Sequence, residues 1–507
     1  MQMAVAYVIV GLFLAGVVLS MELTKRQDET FSDFATAGRS FGSFFTTMAF
    51  VNTWLPGTIF ISFAGLVTAS GMVGFYFTLY GMLGLVLMFF LSQPVFRWGH
   101  AFDLRTQADL LGLRYGSHSV RLVAAVIGIV ASFPWVILGM QSLGLVFTYL
   151  SFGHVGPYAG VIVGILVIAA RQVWTVRFGM RGVVISDMVQ GVFAYFVGTA
   201  LIVGLLVWLV TNGHGFADVD PARYGLPRPG SALGGLYLFS LVLTGALGSW
   251  CWPDIFVRLF TSRSARTMQR AAVQSAPILL VFGILLSCVA LVGSTLPGAA
   301  SRPDDIWFIV ASHGGTIVLA LAGVCVVGAS LGNVGANLQA IGTMAANDVV
   351  AVAQRERVEK PFMGRVFVAV FTVLATLGAL LTAHSASGLI TLAIMSYQGI
   401  VQIAPTLFLG VFWRRGNALA ATSSMVVGFV TACVLQALYP TSIPWLDGVT
   451  SGVAALVVNV AVYLATSLAV RPSRTEQERV DRLFDLLRTQ PAAGGTSPTL
   501  STTRPER

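Results

Sequence analysis

The feature that most constrains this chain is a series of apolar windows, each long enough to cross a lipid bilayer. A spanning helix needs about 20 mainly apolar residues. Thirteen such windows can be drawn, at about 2–21, 40–67, 72–96, 121–150, 157–171, 183–212, 232–252, 272–295, 314–346, 365–383, 388–412, 417–438 and 448–470. In hydrocarbon every backbone polar group must find its partner inside the protein, so windows of this length mean helices. Hydrophobic residues make up 56% of the chain and charged ones only 10%, which excludes a water-soluble globular protein. The expectation is an all-α polytopic membrane protein.

Lysine and arginine placement sets the orientation. With the N-terminus outside, 27 of the 30 fall in inside segments, and only Arg223, Arg228 and Arg302 fall outside. A wrong span count would scramble that split, so it supports thirteen spans, N-out and C-in. Anionic inner-leaflet lipid accounts for the net charge of +9, and no nucleic-acid partner is called for. The first window lacks a basic leading segment and is followed by Lys25-Arg26, so it reads as a span and not as a cleaved signal. Cys251, Cys288, Cys325 and Cys433 are too scattered for a disulfide frame or a metal cluster. Residues 1–470 form the membrane domain. The tail, 471–507, carries a short amphipathic helix, "EQERVDRLFDLLRT", and then a polar end expected to be disordered.

Two spans are interrupted. The second carries Asn52-Thr53-Trp54-Leu55-Pro56-Gly57 at mid-depth, and the seventh carries Thr244-Gly245-Ala246-Leu247-Gly248-Ser249. Proline removes a backbone donor and glycine tolerates unusual dihedrals. The breaks lie five spans apart. Spans 2–6 (about 40–212) and 7–11 (about 232–412) then form a 5+5 inverted repeat, with spans 1, 12 and 13 peripheral. Corresponding broken helices in inverted halves point to the binding site of a transporter. Unwound backbone offers carbonyls to a cation, and half-helix N-termini attract an anion.

Five segments, in order, carry a family resemblance: "FATAGRSFG" (34–42), "LRTQADLLGLRYGS" (104–117), "RFGMRGVVISDMVQG" (177–191), "WPDIFVRLFTSRSARTMQRA" (252–271) and "APTLFLGVFWRRGNALAA" (404–421). Together they resemble the signatures of the sodium/solute symporter family. The resemblance implies a LeuT-like inverted-repeat core in the plasma membrane and secondary active uptake of a small organic solute. "AFVNTWLPGTIFISFAGLVTASG" followed by "GIVASFPWVILGMQSLGLVF" looks most like the monocarboxylate-permease branch.

The resemblance also suggests sites. Asp187 matches the family's signature aspartate, linked there to cation coupling; the alternative is an interfacial carboxylate paired with Arg177 or Arg181. In sodium-coupled members the ninth span carries two adjacent hydroxyl residues. Aligning "SLGNVGANLQAIGTMAAND" by Asp348 puts that pair at Gly332-Asn333, with an upstream carbonyl at Ala329 and further carbonyls near Asn52 and Leu55. The full two-hydroxyl sodium site is missing, which leaves sodium with altered ligands, a proton, or no coupling ion. Ser330, Asn333 and Asn337 share one helix face and can equally serve helix packing.

For solute contacts the family architecture points to Asn52, Thr53, Trp54, Thr244, Ser249 and Trp250 at the breaks, and to Gln141, Tyr397 and Gln398. No basic residue falls in a predicted core, so a carboxylate would be held by helix amides and neutral donors. Asp254 reads as a loop anchor near Arg258. The leading function is import of a monocarboxylate such as pyruvate, lactate or acetate. Amino acids and other small metabolites are the alternative, and a transporter-like sensor with a protein partner at the tail helix is the alternative of another class. No histidine pairs with an acid in a span, so no enzyme and no cofactor beyond a coupling ion are expected. The chain is expected to be a monomer or a loose homo-oligomer.

Overall fold

The computed structural model describes residues 1–24, 30–383 and 389–488. Lys25-Arg26, His384 and the polar end of the tail lie outside the described residues. The described chain is helical: α1 (Gln2–Leu23), α2 (Phe31–Thr36), α3 (Ser43–Trp54), α4 (Ser62–Ser70), α5 (Tyr76–Ala101), α6 (Gln107–Tyr115) and α7 (His118–Leu150) open it. There follow α8 (Pro157–Gly191), α9 (Gly198–Thr211), α10 (Tyr237–Gly248), α11 (Pro253–Thr261), α12 (Ala265–Gly293), α13 (Ile306–Ser312) and α14 (Gly315–Met344). The last are α15 (Ala351–Gln354), α16 (Pro361–Thr382), α17 (Leu389–Ile400), α18 (Ala404–Phe412), α19 (Ala418–Leu438), α20 (Ser451–Ala469) and α21 (Arg474–Asp485). Among the described residues no strand forms.

Among the described residues, ten helical runs are long and apolar enough to cross a membrane. Thirteen windows were expected, and the difference lies in how runs join and how short some pieces are. Windows 157–171 and 183–212 fall in one run, Pro157–Thr211. Inside it Gly179 turns to φ 54°, a conformation that suits glycine, with Phe34 packed where a side chain would stand. The window at 232–252 yields only the shorter apolar helix Tyr237–Cys251.

The first break falls where proline and glycine put it. Helix α3 stops at Trp54, Leu55 leaves the helical region, Pro56 is extended, and a 3-10 turn at Gly57–Ile59 leads towards α4. The second break comes later than expected. Thr244 to Gly248 remain helical, a 3-10 turn covers Ser249–Cys251, and Trp252 is extended before Pro253 starts α11. Proline disfavours the helical conformation of its predecessor, so Pro253 breaks this span. Gly245 and Gly248 serve packing instead: a side chain at Gly245 would strike the Tyr80 ring, and one at Gly248 would lie against Val401 and Tyr397.

Helix α14 is the axle of the molecule. Its apolar window is 83% buried, the highest share of any spanning run, and it packs against α1, α3, α7, α8, α11, α13 and α16. Small residues permit this approach from all sides. Gly328 admits Phe13, Gly335 admits Arg171, and Gly342 admits Val368. Helices α19 and α20 pack as a pair outside this core.

Candidate functional site

The first break faces α14, α3 packs on α8, and α11, which follows the second break, packs on α14 and α3. The polar side chains buried where they meet form a knot around Asp187. Its carboxylate is fully buried and pairs with the equally buried Arg258 at 2.7 Å. Asn52 Nδ2 donates to Asp187 Oδ1 at 3.1 Å and to Gln190 Oε1 at 3.3 Å. Arg258 Nη2 also donates to Thr53 Oγ1 at 2.8 Å. A second buried guanidinium, Arg171, donates to Thr175 Oγ1 and Ser186 Oγ, both at 2.5 Å. Gly332 lies against this knot, where any side chain would run into Asn52 and Asp187.

These placements correct several expectations. Arg177 pairs with Glu22, while the ion-pair partner of Asp187 is Arg258, 71 residues away. Basic residues do enter the core: Arg114, Arg171 and Arg258 are all buried. Asp254 is no loop anchor; it is buried in the first turn of α11, with Oδ1 unpartnered.

The unwound carbonyls lie beside the knot. Asn333 Nδ2 donates to the Thr53 carbonyl at 2.9 Å, while Trp135 Nε1 donates to Asn333 Oδ1 at 3.0 Å. The Leu55 carbonyl accepts from the Tyr195 hydroxyl, which a π-helical turn at Val192–Val197 carries. A hard cation is held by oxygen atoms. Here the Thr53 and Leu55 carbonyls and the Asn333 amide oxygen are each engaged by a protein donor. Gly332 adds no side-chain oxygen, and Ala329 sits within the helical run of α14. Asn52 Oδ1 is buried without a partner and the Ser330 hydroxyl lies against Gly57. With the Thr53 and Leu55 carbonyls and Asn333 Oδ1 already taken, however, the oxygens left at the position the resemblance implies are too few to hold sodium.

On the other side of the breaks lies an aromatic chamber. Trp54 stacks near Tyr80 at 6.3 Å and tilts against Trp250 at 5.9 Å, while Phe50 stacks on Trp250 at 5.6 Å. Trp135, Trp252 and Tyr397 form a triangle of rings 5.3–5.7 Å apart. The hydroxyls of Tyr80 and Tyr397 meet at 3.0 Å. Beside them is a cavity of about 10 Å³, lined by Tyr76, Leu241, Thr244, Gly245, Ile394, Tyr397 and Gln398. Trp252 Nε1 and Gln398 Oε1 are buried without a partner. Such orphans are costly unless a water or ligand meets them.

A model of the sodium:solute symporter family matches residues 34–428. The chain belongs to the sodium:solute symporter family. Among relatives of this chain, the symporter YhjB of Bacillus subtilis (strain 168) is 22% identical over 93% of this chain and 98% of its own. A monocarboxylic acid transporter of Corynebacterium glutamicum is 24% identical over 85% of this chain and 83% of its own. A solved Na+-coupled sialic acid symporter, substrate-bound and outward-open, superposes with a TM-score of 0.72 at 15% identity, covering 92% of this chain and 98% of that one. A nucleobase-cation-symport-1 family transporter in a closed conformation gives 0.54 at 17% identity, covering 88% of this chain and 98% of that one. At such identities these two structures establish the fold alone. The chain is thus a multi-pass protein of the cell membrane with a transporter fold.

The residues expected from the symporter resemblance divide into three groups. Thr244, Tyr397 and Gln398 line one cavity, with Trp54 and Trp250 in the adjoining aromatic wall. Asn52, Thr53, Leu55, Asn333 and Asp187 join the polar knot, and Ser249 turns its hydroxyl onto the Gly245 carbonyl. Gln141 belongs to neither: it donates to Ala379 O and Thr382 Oγ1 on α16, at 3.1 and 2.8 Å. Sequence reasoning missed Tyr76, Tyr80, Trp135, Arg171, Tyr195 and Trp252. For Trp135 and Trp252 a local signal exists, since each adjoins a proline in a span; for the tyrosines only the fold supplies one.

Proposed function

We propose that this symporter imports a small organic monocarboxylate by alternating access, with the solute held in the aromatic chamber between the two breaks. The observation that carries the reading is the coexistence there of apolar ring faces with neutral hydrogen-bond donors: the Tyr80–Tyr397 hydroxyl pair and the unpartnered Trp252 indole N–H. Rings suit a short carbon body, and such donors suit a carboxylate without the desolvation penalty of a buried cation. The monocarboxylic acid transporter among the relatives supports the same class. A cavity of about 10 Å³ holds about one water, so a solute enters only as the bundles part.

Thirteen spans, N-out and C-in, with inverted repeats at about 40–212 and 232–412, complete the proposal. Asp187 is the coupling candidate within it. The test is uptake of labelled pyruvate, lactate and acetate into proteoliposomes under separately imposed sodium and proton gradients. Gradient-driven accumulation of one of them is expected. Tyr397→Phe should raise KM several-fold, because it removes one donor of the pair. No accumulation of any of the three would sink the monocarboxylate reading.

A further inference from the structure

The amide of Asn333 can be oriented without ambiguity. An indole N–H is a donor only, so Trp135, at 3.0 Å, fixes the atom it faces as the amide oxygen. The other end of the side chain must then be the NH2, and it points at the Thr53 carbonyl, 2.9 Å away. That carbonyl belongs to the last turn of α3, where the helix ends and leaves acceptors without intrahelical donors. The partial positive charge on an amide N–H is what a lone carbonyl seeks in place of a metal ion. Two residues on, the Leu55 carbonyl is met by the Tyr195 hydroxyl, and the Thr53 hydroxyl is met by the Arg258 guanidinium. Asn333 is 3% exposed and Thr53 1%, so water does not stand in for these donors.

We propose that the Asn333 amide, locked by Trp135, takes the place of a sodium ion at the break of α3, so that this symporter binds no sodium there and transports without it. The inference rests on the transporter reading only for its second half. Its first half is read without any solute. A sodium ion would have to displace the NH2 group and recruit Oδ1, which requires breaking the Trp135 bond and turning the amide over. Asn333→Asp keeps the shape but removes the donor. A carboxylate would then face the Thr53 carbonyl oxygen to oxygen, and a cation is the natural bridge.

The purified full chain in detergent is tested for saturable binding of radioactive sodium, and melted in NaCl against choline chloride at equal ionic strength. Wild type should show no saturable binding and the same Tm in both salts. Asn333→Asp should acquire saturable binding and a sodium-specific rise in Tm; sodium at ten times its dissociation constant changes the folded-to-unfolded ratio about elevenfold. Saturable sodium binding by wild type, lost in Asp187→Asn or Asn333→Ala, would overturn the proposal. So would an Asn333→Asp variant that melts like wild type in choline chloride yet binds no sodium. Proteoliposomes then report the second half: exchange of sodium for choline should leave the uptake rate unchanged, and loss of uptake in choline would overturn it. Absence of all uptake would count against the transport reading and leave the binding result standing.

Discussion

At the residue scale, the buried pair Asp187–Arg258 ties α11 to α8, and through Asn52 and Thr53 it ties the first break to both. Two charges taken out of water gain little net stability over an apolar replacement, but removing one partner strands the other. Arg258→Met would leave Asp187 with Asn52 and the more distant Arg171, and would take the donor from Thr53 Oγ1. The expected cost is about 3–5 kcal/mol, read as a lowered melting temperature in detergent. The double variant Asp187→Asn with Arg258→Met should recover part of that loss. A double variant as unstable as the two single losses added together would show that the pair is not coupled. Nothing local in the sequence discloses this pairing. Asp187 announces itself as an acid near a span, but its partner sits 71 residues on, in a segment that reads as a loop until Pro253 is seen to start a helix. Asn333 was legible as an anomaly in a small-residue helix, whereas the direction of its amide depends on Trp135, 198 residues earlier.

At the scale of elements, the breaks show which signals carry. Pro56-Gly57 interrupts its span at the expected place because the missing N–H and the missing side chain act together. Glycines alone mislead: Gly245 and Gly248 stay helical, and the break awaits Pro253. A third element has no helical signal at all. The 3-10 turn Pro303–Asp305 packs on α4 so closely that a side chain at Gly65 would run into Asp304. Burial pushes the Asp304 carboxyl up to about 6, aided by the neighbouring Asp305 carboxylate, while Arg302 and Tyr149 attend to Asp305. The folded value lies above the unfolded one near 3.9, so stability present in acid is lost as pH rises through about 6. Melting should therefore be higher at pH 5 than at pH 7.5. Asp304→Asn should raise the Tm at pH 7.5 and flatten that dependence, by about 1–2 kcal/mol once partial solvent screening is allowed for. An unchanged pH profile in the variant would remove Asp304 from the account.

At the scale of the whole molecule, the tail helix ties separate parts of the core together. The amphipathic pattern of "EQERVDRLFDLLRT" was legible, but what its apolar face covers was not. Val480, Leu483 and Phe484 are buried against the chain itself. Phe484 meets the Trp98 ring edge-on at 5.6 Å and lies under the guanidiniums of Arg114 and Arg414, at 5.5 and 5.1 Å. Trp98 Nε1 donates to Leu483 O at 2.8 Å, Arg479 donates to Leu113 O at 2.7 Å, and Arg414 pairs with Asp481 at 2.5 Å. The helix thus bridges the end of α5, the end of α6 and the turn after α18. A rocking motion that separates α5 from α18 must loosen this strap, whereas one that moves them together leaves it intact. Phe484→Ala removes the ring that three side chains grip, and with it about 3–5 kcal/mol of packing. Hydrogen exchange should then rise by more than an order of magnitude in 474–485 and at the end of α5, because these amides would open locally and not globally. If the strap restrains alternating access, the maximal uptake rate of this variant rises while KM stays put; a fall in rate with unchanged exchange in α5 would instead make α21 a passenger on one body.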